Sequence, residues 1–309
     1  MSSPSPAPSG KTTLVYRGHS DKVFSVCWSP DGRSLASAGR DASVHVWEAD
    51  SGRSSLIYRS HTHCVLCTAW SPDGLLLASG DTSGAIHVWE AQTGRTLTVY
   101  RGHRRFARAL VWSPDGRLLV SGGDYGDSTV QVWEALSGVC LASHADQYRI
   151  FAVGWSPEGQ RIASASFDGT VMLRQARGAI PGTTISVYSD HSVPVYALGW
   201  SPDGRLIASG GHDGRVLLWN AATLETVRVY REHRQAVKTL AWSPDGQYIA
   251  SGGDDTAIQV WQAATGQCCC TYRDHVAWVR ALAWSRDGES LASASDCTVR
   301  VWRLQYATA

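Results

Sequence analysis

Hydrophobic and polar positions alternate along most of this chain in short runs that stop at turn residues. Residues 23–47, VFSVCWSPDGRSLASAGRDASVHVW, carry the pattern in full. An apolar run ends at Trp28, and Ser-Pro-Asp-Gly follows as a tight turn, with Pro fixing φ and Gly accepting positive φ. A second run, Leu35 to Ala38, reaches a turn at Arg40-Asp41, and the alternating stretch Ser43 to Trp47 comes next. Ser51-Gly52 then turns the chain into Leu56-Ile57-Tyr58. Alternation with a period of two, interrupted by this turn chemistry, predicts four short antiparallel strands in about 42 residues.

The unit recurs along almost the whole chain. Trp-Ser pairs stand at Trp28, Trp70, Trp112, Trp155, Trp200, Trp242 and Trp284, spaced 42, 42, 43, 45, 42 and 42 residues apart. A second series follows them at Trp47, Trp89, Trp133, Arg174, Trp219, Trp261 and Trp302. A histidine series precedes them at His19, His61, His103, His144, His191, His233 and His275. Seven copies of four strands fit radial blades around an axis, an all-β, seven-bladed propeller. The first strand of each copy agrees with this. Its Ser25, Cys67, Ala109, Ala152, Ala197, Thr239 and Ala281 are small, as seven strands converging on a narrow axis require, and the residues that follow them are mostly aliphatic.

The last copy ends just after Trp302 and lacks its outermost strand, while Thr12 to Tyr16 reads like an outer strand with no blade ahead of it. Residues 12–17 are therefore expected to complete the blade begun at Val276, joining the two ends of the propeller and removing open sheet edges. Residues 12–306 form the expected propeller, and residues 1–11, opening MSSPSPAPSG, read as a Ser/Pro-rich tail or linker.

Gly18-His19 and its equivalents, Ser-Pro-Asp-Gly, Leu-Ala-Ser, and an Asp with Trp six residues later give the chain its resemblance to the WD-repeat propeller family. Most copies end in Trp-Glu or Trp-Gln rather than Trp-Asp. The resemblance implies a buried hydrogen-bonded set of His, Ser, Asp and Trp in each blade and an exposed face that holds peptides or proteins. The matching sets are His19, Ser37, Asp41 and Trp47; His103, Ser121, Asp127 and Trp133; His191, Ser209, Asp213 and Trp219; His233, Ser251, Asp255 and Trp261; and His275, Ser293, Asp296 and Trp302. A buried indole N–H or imidazole needs a partner, and an active site would occur once rather than in every blade.

Two blades depart from the pattern. The second has Ser83 where Asp is expected. The fourth has Arg174 for Trp, Asp146 in the histidine column with His144 two residues before it, and a stretch from Arg174 to His191 three residues longer than its counterparts. The fourth is therefore the expected weak blade.

Charge adds exclusions. With 28 basic and 27 acidic side chains the net charge is +1, which argues against nucleic-acid or membrane-surface binding through bulk charge. No apolar run approaches a membrane span, and the first residues lack the basic start and apolar core of a signal peptide. The eight cysteines follow no disulfide framework, so a cytoplasmic, reducing setting is the expectation. His61-Thr62-His63-Cys64, followed by Cys67, resembles a metal motif, but His61 and Cys67 belong to the repeating columns; no metal and no cofactor are expected. Cys268-Cys269-Cys270 reads as outer-strand filler.

Strand direction puts three columns on one rim, and there the copies stop agreeing. The first column is Lys22, Cys64, Phe106, Arg149, Pro194, Ala236 and Trp278. The second is Phe24, Leu66, Arg108, Phe151, Tyr196, Lys238 and Arg280. The third, at the second turn, is Arg40, Thr82, Gly126, Phe167, His212, Asp254 and Ser295. All four Phe of the chain, and Trp278, which lies outside both Trp series, fall in these 21 positions. The rim is expected to bind a protein or peptide through Phe24, Phe106, Phe151, Phe167, Tyr196 and Trp278, with Arg108, Arg149, Lys238 and Arg280 favouring acidic groups. Two alternatives stand beside it: the aromatics only plug the channel mouth, or the chain is a hydrolase or lyase with its site at the axis. The axial columns, small or aliphatic apart from Ser or Thr, favour a scaffold over the enzyme, and a monomer is expected.

Overall fold

The computed structural model describes residues 9–146, 148–176 and 183–305. They form seven four-stranded antiparallel sheets arranged as the blades of a propeller. Blade 1 runs Val23–Trp28, Ser34–Gly39, Val44–Glu48 and Ser54–Tyr58 from the axis outward, and blades 2 to 6 repeat this order. Blade 7 takes three strands, Val279–Trp284, Ser290–Ser295 and Thr298–Gln305, from the C-terminal end and its outer strand, Ser9–Tyr16, from the N-terminal end. Pairing begins with Ser9 opposite Gln305, three residues before the expected boundary at residue 12, because the third strand of this blade is itself extended to eight residues. The remainder of the expected tail, residues 1–8, and the expected end of the propeller at residue 306 lie outside the described residues, as do residues 177–182 of the long stretch in blade 4.

The apolar core lies between blades rather than within them. One cluster joins Tyr16, Val299 and Val301 of blade 7 to Val23, Leu35 and Trp47 of blade 1. The same arrangement recurs around the ring. Tyr16 stacks on Trp47 with ring centroids 4.5 Å apart and planes within 2°. Tyr58 on Trp89, Tyr100 on Trp133, Tyr188 on Trp219, Tyr230 on Trp261 and Tyr272 on Trp302 do the same at 4.2–4.9 Å. Each pair links the outer strand of one blade to the third strand of the next. The inner Trp series ties neighbours differently. Trp28, Trp112, Trp242 and Trp284 donate their indole N–H to the carbonyls of Ala283, Ala69, Gly199 and Ala241 in the preceding blade, at 3.0–3.1 Å. A Cβ on Gly199 would sit 3.3 Å from the Trp242 ring and 3.0 Å from Leu240, which is why this column stays small. At the ring junction Arg286 replaces the turn proline, and its guanidinium donates to the Pro30 carbonyl at 2.8 Å.

The polar sets follow the repeat with informative departures. In blade 1, His19 Nδ1 meets Asp41 at 2.8 Å, His19 Nε2 meets Ser37 Oγ at 2.8 Å, and Trp47 donates to the same hydroxyl at 3.1 Å. Blade 3 repeats this with His103, Asp127, Ser121 and Trp133. Blade 2 does too, through a different residue: Asp81, two positions before Ser83, meets His61 at 2.8 Å and accepts from the Ser83 hydroxyl at 2.5 Å. The acid that seemed absent is supplied from the column occupied by Gly39 in blade 1, because that strand position also faces the histidine.

In blade 6, His233 contacts Asp255 at 2.9 Å and Ser251 at 2.8 Å, but the Trp261 N–H is buried without an acceptor. In blade 5, His191 reaches Ser209 at 2.8 Å and Trp219 donates to Ser209 at 3.2 Å, while Asp213 pairs with Arg215 instead and leaves His191 Nδ1 without a partner. In blade 7, His275 reaches Ser293 at 2.7 Å, and the Trp302 N–H has no acceptor. Its turn is one residue shorter than in blade 1, and there it is the Asp296 backbone carbonyl that is engaged, accepting from the Val23 N–H at 2.6 Å.

Blade 4 replaces the whole arrangement. The buried Arg174 donates to both Ser164 and Asp146, doing the work of Trp and His together. Strand register places His144 opposite Val130, where Tyr58 stands opposite Val44 in blade 1, so His144 belongs to the tyrosine column rather than the histidine column. Both members of the Tyr–Trp stack are therefore substituted at one interface. Burial pushes the Asp146 carboxyl up and the Arg174 guanidinium down, and their mutual attraction only partly opposes it.

Two predictions follow from this interior. Arg174→Ala leaves Asp146 buried and unpaired and should cost about 3–5 kcal/mol in denaturant unfolding. Arg174→Trp combined with Asp146→His and His144→Tyr should recover that loss, and blade 4 amides should exchange first in native-state hydrogen exchange. Equal protection in all blades would contradict the second point.

The other prediction concerns pH. Burial holds His45, His87, His191 and His275 at about 4, below the ordinary 6.5. Between those values the unfolded chain binds protons that the folded chain refuses. Stability present above 6.5 is therefore lost as pH falls toward 4, by up to about 1.4 kcal/mol per pH unit for each histidine. Burial would raise Asp41, Asp81, Asp127 and Asp255, but hydrogen bonds from their histidines, neighbouring hydroxyls and backbone N–H groups, with the attraction of the histidine charge, together outweigh it and hold them below the usual range, so their contribution goes at still lower pH. Urea midpoints at pH 7, 6 and 5 test this, and a flat profile would refute it.

Candidate partner-binding face

A β-bulge in every blade aims the variable side chains. Register slips between Val23 and Ser25, Val65 and Cys67, Ala107 and Ala109, Ile150 and Ala152, Val195 and Ala197, Val237 and Thr239, and Val279 and Ala281. The residue skipped each time is the second variable column, Phe24 to Arg280. A bulge frees its residue from the ladder and re-aims the side chain, and all seven line one opening at the axis, a cavity of about 260 Å³. Backbone bonds bring the other two columns alongside. The N–H groups of Arg40, Thr82, Phe167, His212 and Asp254 donate to the carbonyls of Lys22, Cys64, Arg149, Pro194 and Ala236, at 2.8–3.0 Å.

The aromatic residues fall into two groups. Phe151 meets Tyr196 edge-on at 4.9 Å and Phe167 at 6.2 Å. Arg149 lies over Phe167 at 5.5 Å and over Tyr125 at 4.4 Å, and Lys238 lies over Tyr196 at 3.4 Å. Across the opening, Arg280 sits 5.3 Å from the Phe24 ring and 5.4 Å from the Trp278 ring. Phe167 and Trp278 are 43% and 50% exposed, while Phe24, Phe151 and Tyr196 are half-buried. Phe106 joins neither group: it is half-buried at φ +43°, and its N–H donates to Thr82 of blade 2.

Sequence reasoning missed several members. Tyr125 and Tyr148, 57% and 45% exposed, add aromatic surface beside Arg149 in loops outside the three columns. Acids also enter: Asp124 lies 3.8 Å from Arg149, and Asp254 lies 3.6 Å from Lys238. Arg108 and Arg280 have no ion pair among the described residues. Burial, the like charges of Arg108 and Arg280, and the opposing Asp254 together leave the Lys238 pKa below its ordinary value.

The polar residues of the axial column are engaged in joining blades. Ser25 Oγ accepts from the Thr68 N–H at 3.1 Å, and Thr239 Oγ1 accepts from the Leu282 N–H at 3.0 Å. Cys67 is buried beside the Ala107 carbonyl at 3.3 Å, and burial pushes its thiol up to about 12. Both ring nitrogens of His61 are bonded within its blade, so the sequence around His61 assembles no open ligand set. The donor sets His19, Asp41, His45 and His61, Asp81, His87 do come within 4.8 Å. Their imidazoles, however, stack face to face at 3.9 Å as part of the blade interiors. All eight cysteines are free thiols.

The fold and its rim define a closed propeller with one face varied against a uniform frame. The family model described as "WD domain, G-beta repeat" matches seven times, at residues 10–48, 52–90, 94–134, 138–174, 182–220, 224–262 and 266–303. The chain belongs to the WD-repeat family. Local similarity extends to coronin-7 of Mus musculus, 46% identical over 39 residues, 13% of this chain and 4% of that protein. It also extends to the probable cytosolic iron-sulfur protein assembly protein 1 of Vanderwaltozyma polyspora, 53% identical over 36 residues, 12% of this chain and 10% of that protein. These matches span about one repeat and carry the family rather than a shared role.

Proposed function

We propose that this propeller is a non-catalytic scaffold that holds a protein or peptide on the rim around the axial opening. The observation that carries the reading is the bulge column: seven equivalent positions, aimed at one opening, hold seven residues chosen blade by blade. Phe151, Phe167 and Tyr196 supply apolar contact on one side, and Trp278 and Phe24 on the other. Arg108, Arg149, Lys238 and Arg280 favour a partner with acidic groups, with Asp124 beside Arg149, Asp254 beside Lys238, and Asp254 and Asp296 acting on Arg280. The engagement of Ser25 and Thr239 in blade-to-blade bonds supports a scaffold over an axial enzyme. The protein acts as a monomer in the cytoplasm, a setting consistent with its free thiols and with the word "cytosolic" in the name of one relative.

Changing Phe151 and Trp278 to Ala together tests the reading. The double variant should melt within a few degrees of the wild type and should weaken capture of the partners identified by mass spectrometry at least tenfold, about 1.4 kcal/mol. A much lower melting temperature would make these rings channel plugs, and undiminished capture would remove the face from the partner interface.

A further inference from the structure

We infer that the groove between blades 7 and 1, at the end of the blades opposite the rim, is a seat for the guanidinium of an arginine on a partner peptide. The chain builds such a seat for itself at another junction. Arg161 of blade 4 lays its guanidinium over the Trp200 ring of blade 5, 4.8 Å from the centroid. Its Nε donates to Glu158 of its own turn at 3.1 Å, and its two terminal nitrogens donate to the Ala221 and Gly204 carbonyls of blade 5 at 3.3 Å. An indole face with carboxylate and carbonyl acceptors around it holds a cation by attraction and by direction together.

Repetition places the same surroundings at the junction of blades 7 and 1. Trp28, Asp287, Ala49 and Gly32 are the equivalents of Trp200, Glu158, Ala221 and Gly204, and all four line one pocket of about 570 Å³. The position of Arg161 is taken there by Ser290. In four other blades that column is filled: Leu76, Leu118, Leu206 and Tyr248 pack in the clusters that hold Trp112, Trp155, Trp242 and Trp284 of the following blades. Serine is too short to cover the next ring, so Trp28 stays half-buried, and among the described residues no donor reaches the Ala49 or Gly32 carbonyl. Asp287 uses only Oδ1 within its turn, accepting from Ser285 Oγ at 2.5 Å and from the Glu289 N–H at 2.9 Å. Blade 1 also has serine in this column, Ser34, but the groove it faces keeps a turn proline, Pro30 beside Gly74, and has Gln92 in the column of Asp50. At the junction of blades 7 and 1 the proline is replaced by Arg286, which is held at the Pro30 carbonyl, and Asp50 adds a carboxylate to the lining. Net charge does not choose the ligand, since Arg286, Arg303 and the nearby Arg33 offset Asp31, Asp50 and Asp287. The directional contacts choose it. A ring face, a carboxylate and two carbonyls suit a planar, forked donor better than the compact point charge of an ammonium. Leu14 and Val301 give the pocket an apolar wall for the residue beside the arginine.

NMR titration of the full chain, following the Trp28 indole N–H, tests this with four probes: a short capped peptide centred on Arg, the same peptide with citrulline, the same with Lys, and free arginine. The Arg peptide should move the Trp28 signal and bind at least tenfold more tightly than the citrulline or Lys peptide, and at least threefold more tightly than free arginine. Equal binding of the citrulline peptide would overturn the cation, equal binding of the Lys peptide would overturn the guanidinium, and equal binding of free arginine would overturn the partner peptide. Ser290→Arg, which rebuilds the Arg161 arrangement inside the chain, should abolish binding with the melting temperature no lower. Ser290→Leu, the residue of blades 2, 3 and 5 in this column, provides the same reading should the first variant not fold. Undiminished binding by these variants would overturn the seat. Phe151→Ala with Trp278→Ala, at the opposite end of the blades, should change binding of the Arg peptide less than twofold. If binding is lost with those rings instead, the peptide sits on the rim and the seat between blades 7 and 1 is wrong.

Discussion

A four-stranded blade has two apolar faces and can bury neither alone. Everything else in this structure depends on meeting that constraint seven times and then closing the ring. Burial is achieved between blades, where Leu35, Trp47 and Val23 of blade 1 pack with Tyr16, Val299 and Val301 of blade 7. The Tyr–Trp stack is its most regular expression, with ring planes within 2–6° at six interfaces. Because the outer strand of blade 7 comes from the N-terminal end, the last interface is also the one that holds both ends of the propeller. Backbone pairing at Ser9 to Tyr16, the Trp28 indole and the Arg286 guanidinium all cross near it.

That division of labour leaves the rim free to vary. Interior columns repeat because each must fit a neighbour of nearly fixed shape, as the close approach of Gly199 to Trp242 illustrates. The bulge residues have no ladder partner and point at a shared opening, so their identities affect one another more than they affect the blades. Cations there lie over aromatic rings: Lys238 over Tyr196, and Arg280 between Phe24 and Trp278. These contacts order both kinds of side chain at the rim.

Blade 4 meets the same constraint by other means. The buried Arg174 reaches two acceptors that elsewhere need a Trp and a His, and His144 stands where the other interfaces have Tyr. The substitutions belong together, since a guanidinium in the Trp position needs an anion within reach and Asp146 supplies it. A buried ion pair answers geometry more readily than it adds stability.

The sequence alone determined the blade count, the four-strand unit, the closure of blade 7 by the N-terminal strand and the three columns on one rim. Those properties reside in repetition: one ambiguous strand becomes unambiguous when it recurs seven times in register with the same Trp, His and turn residues. Tertiary structure decided what repetition could not express. Asp81 replaced a missing acid from a different position of its strand, and Asp213 turned away to Arg215, because hydrogen bonds follow distance in space rather than column in an alignment. The tyrosine three residues before the histidine was visible in six copies, but its role as the stack on the next blade's Trp appeared only when the blades were assembled. The rim was legible as variation, yet its charge balance was not. Asp124 and Asp254 neutralise two of the four cations, and the bulges bring Arg108 and Arg280, 172 residues apart in the chain, to one opening. Local alternation encodes which face of a strand a residue occupies, while convergence at the axis is a property of the closed ring.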